Sequence, residues 1–240
     1  MFIKALAVTL LFLSFILFAG TLSSRSVTPS SPKPAPTRQQ VEDPTSLRAR
    51  VKKVKAKGEK KAKFGSPVPI YAETTGLEES AANYLIVLAR PLGATTLMLS
   101  PHKLTTFQKF EILDRLTTPI TKSCCGPKTS DLPPGLAVSG PNEIYVRMNG
   151  GTYVIDDVEV TQEPEFNFSG TEEYLLFLLP DETGVVSTIP LGPYGVFNVK
   201  GDGVESILNY PHVLDTEIKA KHNGSLGRLR AKLKTAPGSK

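Results

Sequence analysis

The sequence predicts a mainly β fold, an antiparallel barrel or sandwich with short flanking helices, and three observations lead there. From Asn83 onward the apolar residues fall in runs of strand length, several of them alternating as a half-buried strand requires. Gly, Pro, Asn and Asp, the residues that tight turns need, separate those runs. The runs recur too often, with too little helical periodicity between them, for a parallel sheet built from strand–helix–strand crossovers.

Ahead of that region lies an apolar segment. After Met1-Phe2-Ile3-Lys4, residues 5–22 carry no charge and include Leu10, Leu11, Phe12, Leu13, Phe15, Ile16, Leu17 and Phe18. A basic start followed by an apolar stretch is the pattern of an export signal. The stretch falls between the roughly 7–15 residues of a cleaved signal and the roughly 20 that span the hydrocarbon core, so residues 1–24 read as a signal peptide or a membrane anchor in the form of a hydrophobic helix. Either places the rest of the chain outside the cytoplasm. Arg25, Lys33 and Arg38 follow the segment and only Lys4 precedes it, which by the positive-inside rule argues for the opposite orientation. Residues 25–65 are Pro- and Ser-rich and then Lys-rich, a composition that predicts a disordered linker.

Charge is segregated along the chain. Residues 48–63 hold nine basic side chains and one acidic, and residues 217–240 hold seven and one. Between them, residues 64–216 hold eight basic and nineteen acidic, so the net +5 of the whole conceals an acidic middle. A nucleic-acid-binding domain carries its positive charge on the folded surface, so this distribution argues against one. The basic tract 48–63 either meets anionic lipid beside the anchor or is a solvated segment that folds back on the acidic domain. Leu47, Val51 and Val54 give it only a thin apolar stripe, which favours the second.

Within the β-rich domain, residues 66–216, Thr75-Gly76-Leu77-Glu78 has the capping-box pattern and predicts a short helix over 77–82. Strands follow at 84–89, 95–99 and 106–116, then, after a Pro- and Gly-rich loop over 117–140, at 143–148, 152–155, 158–161, 174–179, 185–189 and 196–199. Asp156-Asp157 and Gly201-Asp202 each separate two runs and predict two-residue hairpin turns. In the basic tail, residues 217–240, Leu226, Leu229 and Leu233 are spaced for a short amphipathic helix. About 150 residues can bury a core without a metal or disulfide.

The runs GGTYVIDDVEV, EEYLLFLLP, GPYGVFNVKGDGV and NGSLGRLRAKL, in this order, resemble an uncharacterised family of bacterial exported proteins. The resemblance covers roughly residues 75–235 and implies a small OB-like or related barrel. Where such proteins carry Asp-Gly at the hairpin, this chain has Asp156-Asp157, which leaves the turn type open. No activity comes with the family, so no site residue is carried over.

Candidate chemistry is sparse. Cys124 and Cys125 are neighbours, and a trans peptide sets their Cα atoms about 3.8 Å apart, below the usual disulfide range. A vicinal or intermolecular disulfide pinning a loop is the favoured reading over a redox switch or a thiol metal site. His102, His212 and His222 belong to no metal or nucleophile motif and read as exposed loop residues, although a Ser-His-Asp triad is defined by geometry rather than order. Asp156, Asp157, Glu159, Glu163, Glu165, Glu172 and Glu173 lack the spacing of a calcium loop and read as a solvated face. Asn167 and Asn223 match the glycosylation acceptor. No residue is assigned a catalytic, cofactor or metal role. The expectation is an exported or membrane-tethered, non-catalytic β domain that binds a protein or envelope component; a thiol-dependent or hydrolytic extracytoplasmic enzyme is the alternative.

Overall fold

The computed structural model describes residues 43–65, 70–118, 136, 140–181 and 184–235. The apolar segment 1–24, the Pro- and Ser-rich part of the linker up to residue 42, and Cys124 and Cys125 lie outside the described residues.

In chain order the elements are helix α1 (Leu47–Ala56), strand β1 (Lys61–Phe64), helix α2 (Leu77–Asn83), and strands β2 (Leu85–Ser100), β3 (Lys103–Arg115), β4 (Glu143–Asn149), β5 (Gly151–Ile155), β6 (Val158–Gln162), β7 (Glu173–Pro180) and β8 (Val186–Thr188). A 3-10 turn at Gly192–Gly195 leads to β9 (Val196–Lys200) and β10 (Gly203–Ser206), and helices α3 (Val213–His222) and α4 (Leu226–Lys234) end the chain. The fold is mainly β, as expected.

The larger sheet runs β10-β9-β7-β2-β3-β4-β8, and β8 also pairs with β7. Strands β2, β3 and β4 form an antiparallel meander, and β7 returns to lie beside β2, the Greek-key arrangement. Strand β8 then pairs parallel to β4 (Tyr145 with Val186) and antiparallel to β7 (Leu179 with Thr188), which joins the two ends of the five strands. The ring β7-β2-β3-β4-β8 surrounds a core that includes Val87, Phe110, Ile144, Val146, Leu176 and Val196. Strand β2 contains Pro91, which has no N–H to give a ladder. It is tolerated because pairing with β7 stops at Ala89, and a register shift between Pro91 and Gly93 carries β2 onward against β3 alone. The two sequence runs 84–89 and 95–99 are therefore one bent strand.

Asp156 (φ 49°) and Asp157 (φ 65°) both lie in the left-handed region. Two positive φ values define a type I′ turn, and Asp is among the few non-glycine residues that tolerate them, so the open turn type is resolved. The β5-β6 hairpin adds β1 parallel to β6 to form a small second sheet. Gln162, buried at the end of β6, accepts from Leu104 N–H and donates to His102 C=O at 3.2 Å, tying that sheet to the β2-β3 turn.

Three sequence expectations are corrected here. Residues 47–64, read as part of a disordered linker, form α1 and β1. The thin stripe suffices because Leu47 and Val51 are wholly buried against Leu104, Ile155, Val158 and Val160, and Ser46 Oγ caps the helix by accepting from Ala49 N–H at 3.2 Å. The basic tail is likewise part of the core: Leu226, Leu229 and Leu233 pack with Phe177, Phe197 and Leu214 outside the ring, so the boundary at residue 216 falls inside α3. At α2 the capping box does not form. Its N-cap, Gly76, has no capping side chain, and Glu217 Oε2 of α3 accepts from Leu77 N–H at 2.7 Å in its place. A long-range carboxylate outcompetes the local one because α3 already holds it against the helix start.

Two kinds of interaction hold α1, and magnitude separates them. Arg48–Asp156 (3.9 Å), Lys55–Asp157 (3.3 Å) and Lys61–Glu159 (3.0 Å) pair the basic tract with the acidic hairpin, but all six side chains are substantially exposed. Such pairs contribute about 0–1 kcal/mol each. Each buried leucine or valine contributes roughly 1.5–3 kcal/mol. Leu47→Ala is therefore expected to lower the unfolding free energy by about 2–4 kcal/mol, and Arg48→Gln by less than about 1 kcal/mol, in urea denaturation read by circular dichroism.

Candidate functional site

On β3 and β4 the side chains alternate between the ring interior and the outer face. Lys103, Thr105 and Phe107 of β3 share the outward face with Tyr145, Arg147 and Asn149 of β4, because Thr105 pairs with Asn149 and Phe107 with Arg147. Further along, Phe107 (2% exposed) and Tyr145 (4%) are covered together with Val186, Leu97 and Leu136. Toward the β2-β3 turn the face opens into a cleft of about 670 Å³.

Four segments build that cleft. Leu99 and Ser100 enter from β2, Lys103 and Thr105 from β3, Arg147 and Asn149 from β4, and Thr188, Ile189 and Pro190 from the end of β8. Ile70, Tyr71, Glu165 and Phe166 complete the wall. Tyr71 is placed by backbone and by shape: Ala72 N–H donates to Pro190 C=O at 2.8 Å, and the tyrosine ring occupies the space that a side chain at Gly192 (φ 57°) would take. Glycine is thus needed at 192 both for its backbone angle and for the ring beside it.

Glu165 is the one carboxylate lining the cleft, and both its oxygens are engaged. Oε1 accepts from the Tyr71 hydroxyl at 3.2 Å and Oε2 from Asn149 N–H at 2.6 Å. Burial, with the Glu165 carboxylate beside it, holds the Tyr71 phenol well above its usual range. Among the described residues, neither Lys103 nor Arg147 makes an ion pair, so the cleft presents two unpaired cations between hydroxyl and amide groups, with Glu165 the one opposite charge on its wall. Glycoside hydrolysis commonly uses two carboxylates facing one bond, and among the residues lining this cleft Glu165 is the one carboxylate.

The residues singled out in the sequence are scattered. His102 sits in the β2-β3 turn with its ring 3.1 Å from Asp43. Glu173 pairs with Arg90, Glu172 accepts from the Tyr174 hydroxyl, and Asp156, Asp157 and Glu159 face the basic tract. Among the described residues no group of three His, Cys, Asp or Glu is placed to hold a metal. Asn167 and Asn223 are exposed, and Asn223 is the left-handed residue that ends α3. Lys103 and Arg147 were missed, although each is a cation among alternating strand residues, a detectable signal.

One pairing resembles a catalytic dyad. Ser206 Oγ lies 3.0 Å from His212 Nε2, and Asp215 is buried three residues further on. The hydrogen bonding argues against catalysis. Ser206 Oγ also accepts from Leu208 N–H at 3.1 Å, while His212 Nδ1 and Asp215 Oδ1 are buried without partners. A general base of the Ser-His-Asp kind is oriented by a bond at Nδ1, and His212 Nδ1 has none. The contact fastens the β10-α3 connection.

Comparison with protein-family models, with curated proteins and with solved structures finds no match.

Burial lowers the pKa of His212, opposed by Asp215, and burial likewise lowers that of His222, opposed by Glu217. With folded-state values below the ordinary 6.5, the unfolded chain takes up protons first as pH falls. The stability these residues contribute is complete above about pH 6.5 and is lost as pH falls from there through the folded-state values. The thermal midpoint is expected to decline between pH 7.5 and pH 5, and His212→Phe to make that decline shallower.

Proposed function

We propose that this protein is a non-catalytic binding module, exported or tethered outside the cytoplasmic membrane, whose ligand enters the cleft between Lys103 and Arg147. The observation that carries the reading is the cleft's composition: two unpaired cations and several hydrogen-bonding groups surround a carboxylate whose two oxygens already accept from Tyr71 and Asn149. Groups of this kind orient a ligand, and none is placed to break a bond in it.

The finer architecture is proposed as OB-like. A five-stranded Greek-key ring closed through one parallel pair supports it, and in OB barrels the faces of the second and third strands and the loops flanking them bind oligomers. Here those strands are β3 and β4, which supply Lys103, Thr105, Arg147 and Asn149. That correspondence is an analogy of fold, whereas the charge and hydrogen-bonding argument rests on the side chains themselves.

The address rests on the uncharged residues 5–22, whose transfer from water to lipid is strongly favourable. Among the described residues no helix is long and apolar enough to cross a membrane. Fractionation of cells followed by N-terminal sequencing is expected to find the chain in the membrane or exported fraction, either intact or starting near residue 25. Recovery from the cytosol with residue 1 intact would overturn the address.

A further inference from the structure

We propose, resting on the binding-module reading, that the cleft binds a linear acidic glycan, a run of sugars bearing carboxylate or phosphate groups. Four residues of extended strand separate Lys103 from the position opposite Arg147, so their backbones stand about 13 Å apart along the face. Thr105 and Asn149, paired across the strands, lie between them. A ligand spanning both cations is therefore extended, carries anionic groups toward each end, and meets hydroxyl and amide groups in the middle. Arg147 offers a planar fork suited to a carboxylate or phosphate, and Lys103 a point charge. Ser100 and Thr188 add hydroxyls at the margins, and Tyr71 and Phe166 add apolar wall. Alternating charge, hydroxyl-binding and apolar surface is what a chain of acidic sugars presents in return.

The structure disfavours the other polyanions. An acidic peptide gains much of its affinity by adding a strand to a free sheet edge. On the floor of this cleft β3 is flanked by β2 and β4, and on the outer edge of β4 Tyr145 N–H donates to Val185 C=O and Asn149 N–H to Glu165, so little free edge is left there for an added strand. A single-stranded nucleic acid needs exposed rings to stack its bases and a basic track for its phosphates. Of the rings near this face Phe107 and Tyr145 are covered and Phe166 is buried, which leaves the half-buried Tyr71 alone, and two cations make a short track. Residues 64–216 also carry nineteen acidic against eight basic side chains, which repels a long polyphosphate chain outside the cleft while a short glycan segment can seat within it.

The test is titration calorimetry of the full chain, purified as it accumulates in cells, with four probes of similar length: oligogalacturonate, phosphorylated mannan oligomers, neutral dextran and poly-L-glutamate. Binding of one or both of the first two is expected, at least tenfold tighter than of dextran or polyglutamate and weakened by added salt. Preference between the first two identifies the anionic group. Lys103→Gln with Arg147→Gln is expected to weaken binding at least tenfold, Arg147→Lys to restore part of it, and Lys53→Gln on the exposed side of α1 to leave it unchanged, with thermal midpoints matched to confirm folding. Equal binding of polyglutamate, equal binding of dextran, an unaltered affinity in the double variant, or no binding to either charged glycan would overturn the glycan assignment. Cytosolic recovery in the fractionation experiment separately overturns the export reading.

Discussion

The closing of the ring by β8 is the constraint on which the rest of the structure depends. Three residues, Val186–Thr188, pair with β4 on one side and β7 on the other, and without them the other four strands would not close and β4 would be left as a bare edge. Closure turns the inner faces of β2, β3, β4 and β7 onto one another, so that Phe110, Ile144, Val146 and Leu176 share a core. It also brings Thr188, Ile189 and Pro190 against the β2-β3 turn. The cleft exists because those two places, far apart in sequence, are made neighbours.

Around that ring the appended parts are held chiefly by apolar contacts and organised by charge. Helices α2, α3 and α4 cover the outer face of β7 and β9 through a core that includes Phe177, Phe197, Leu214 and Leu229. Ions then refine the geometry: Glu217 caps α2, and Asp202 Oδ1 accepts from Gly227 N–H at 2.7 Å at the start of α4. Many of the acidic residues of the middle region are spent in this way on structure. Lys103 and Arg147 are among the basic side chains of the folded surface that make no ion pair with the described residues, and both line the cleft.

Local patterning made strands β2 to β9 legible, along with α2, α4 and both hairpin turns, because period-two alternation and the Asp-Asp and Gly-Asp pairs act within a few residues. Four features were not legible for the same reason. The Leu47 and Val51 stripe is thin, and only the presence of Leu104 and Val160 from distant strands makes it sufficient for a helix. Helix α3 begins after Pro211 with His212 at the N-cap, whose side chain bonds Ser206 and caps no helix N–H, so it lacks a start signal. The union of 84–89 with 95–99 across Pro91 depends on where β7 stops. The cleft itself is composed of six separated segments, and no spacing along the chain announces it. The acids and histidines that drew attention in the sequence proved mostly structural, whereas Lys103 and Arg147 gain meaning only from register.

Ring closure is open to direct observation by amide hydrogen exchange in solution. Tyr145 N–H donates to Val185 C=O at 3.0 Å and Asp181 N–H to Val186 C=O at 2.8 Å, so both report on β8 from the strands that flank it. Both amides are expected to be protected to nearly the same degree as those of β2 and β3, exchanging only in global unfolding. Exchange at unprotected rates at these two positions, with β2 and β3 still protected, would mean an open sheet and would contradict the account of the cleft built on its closure.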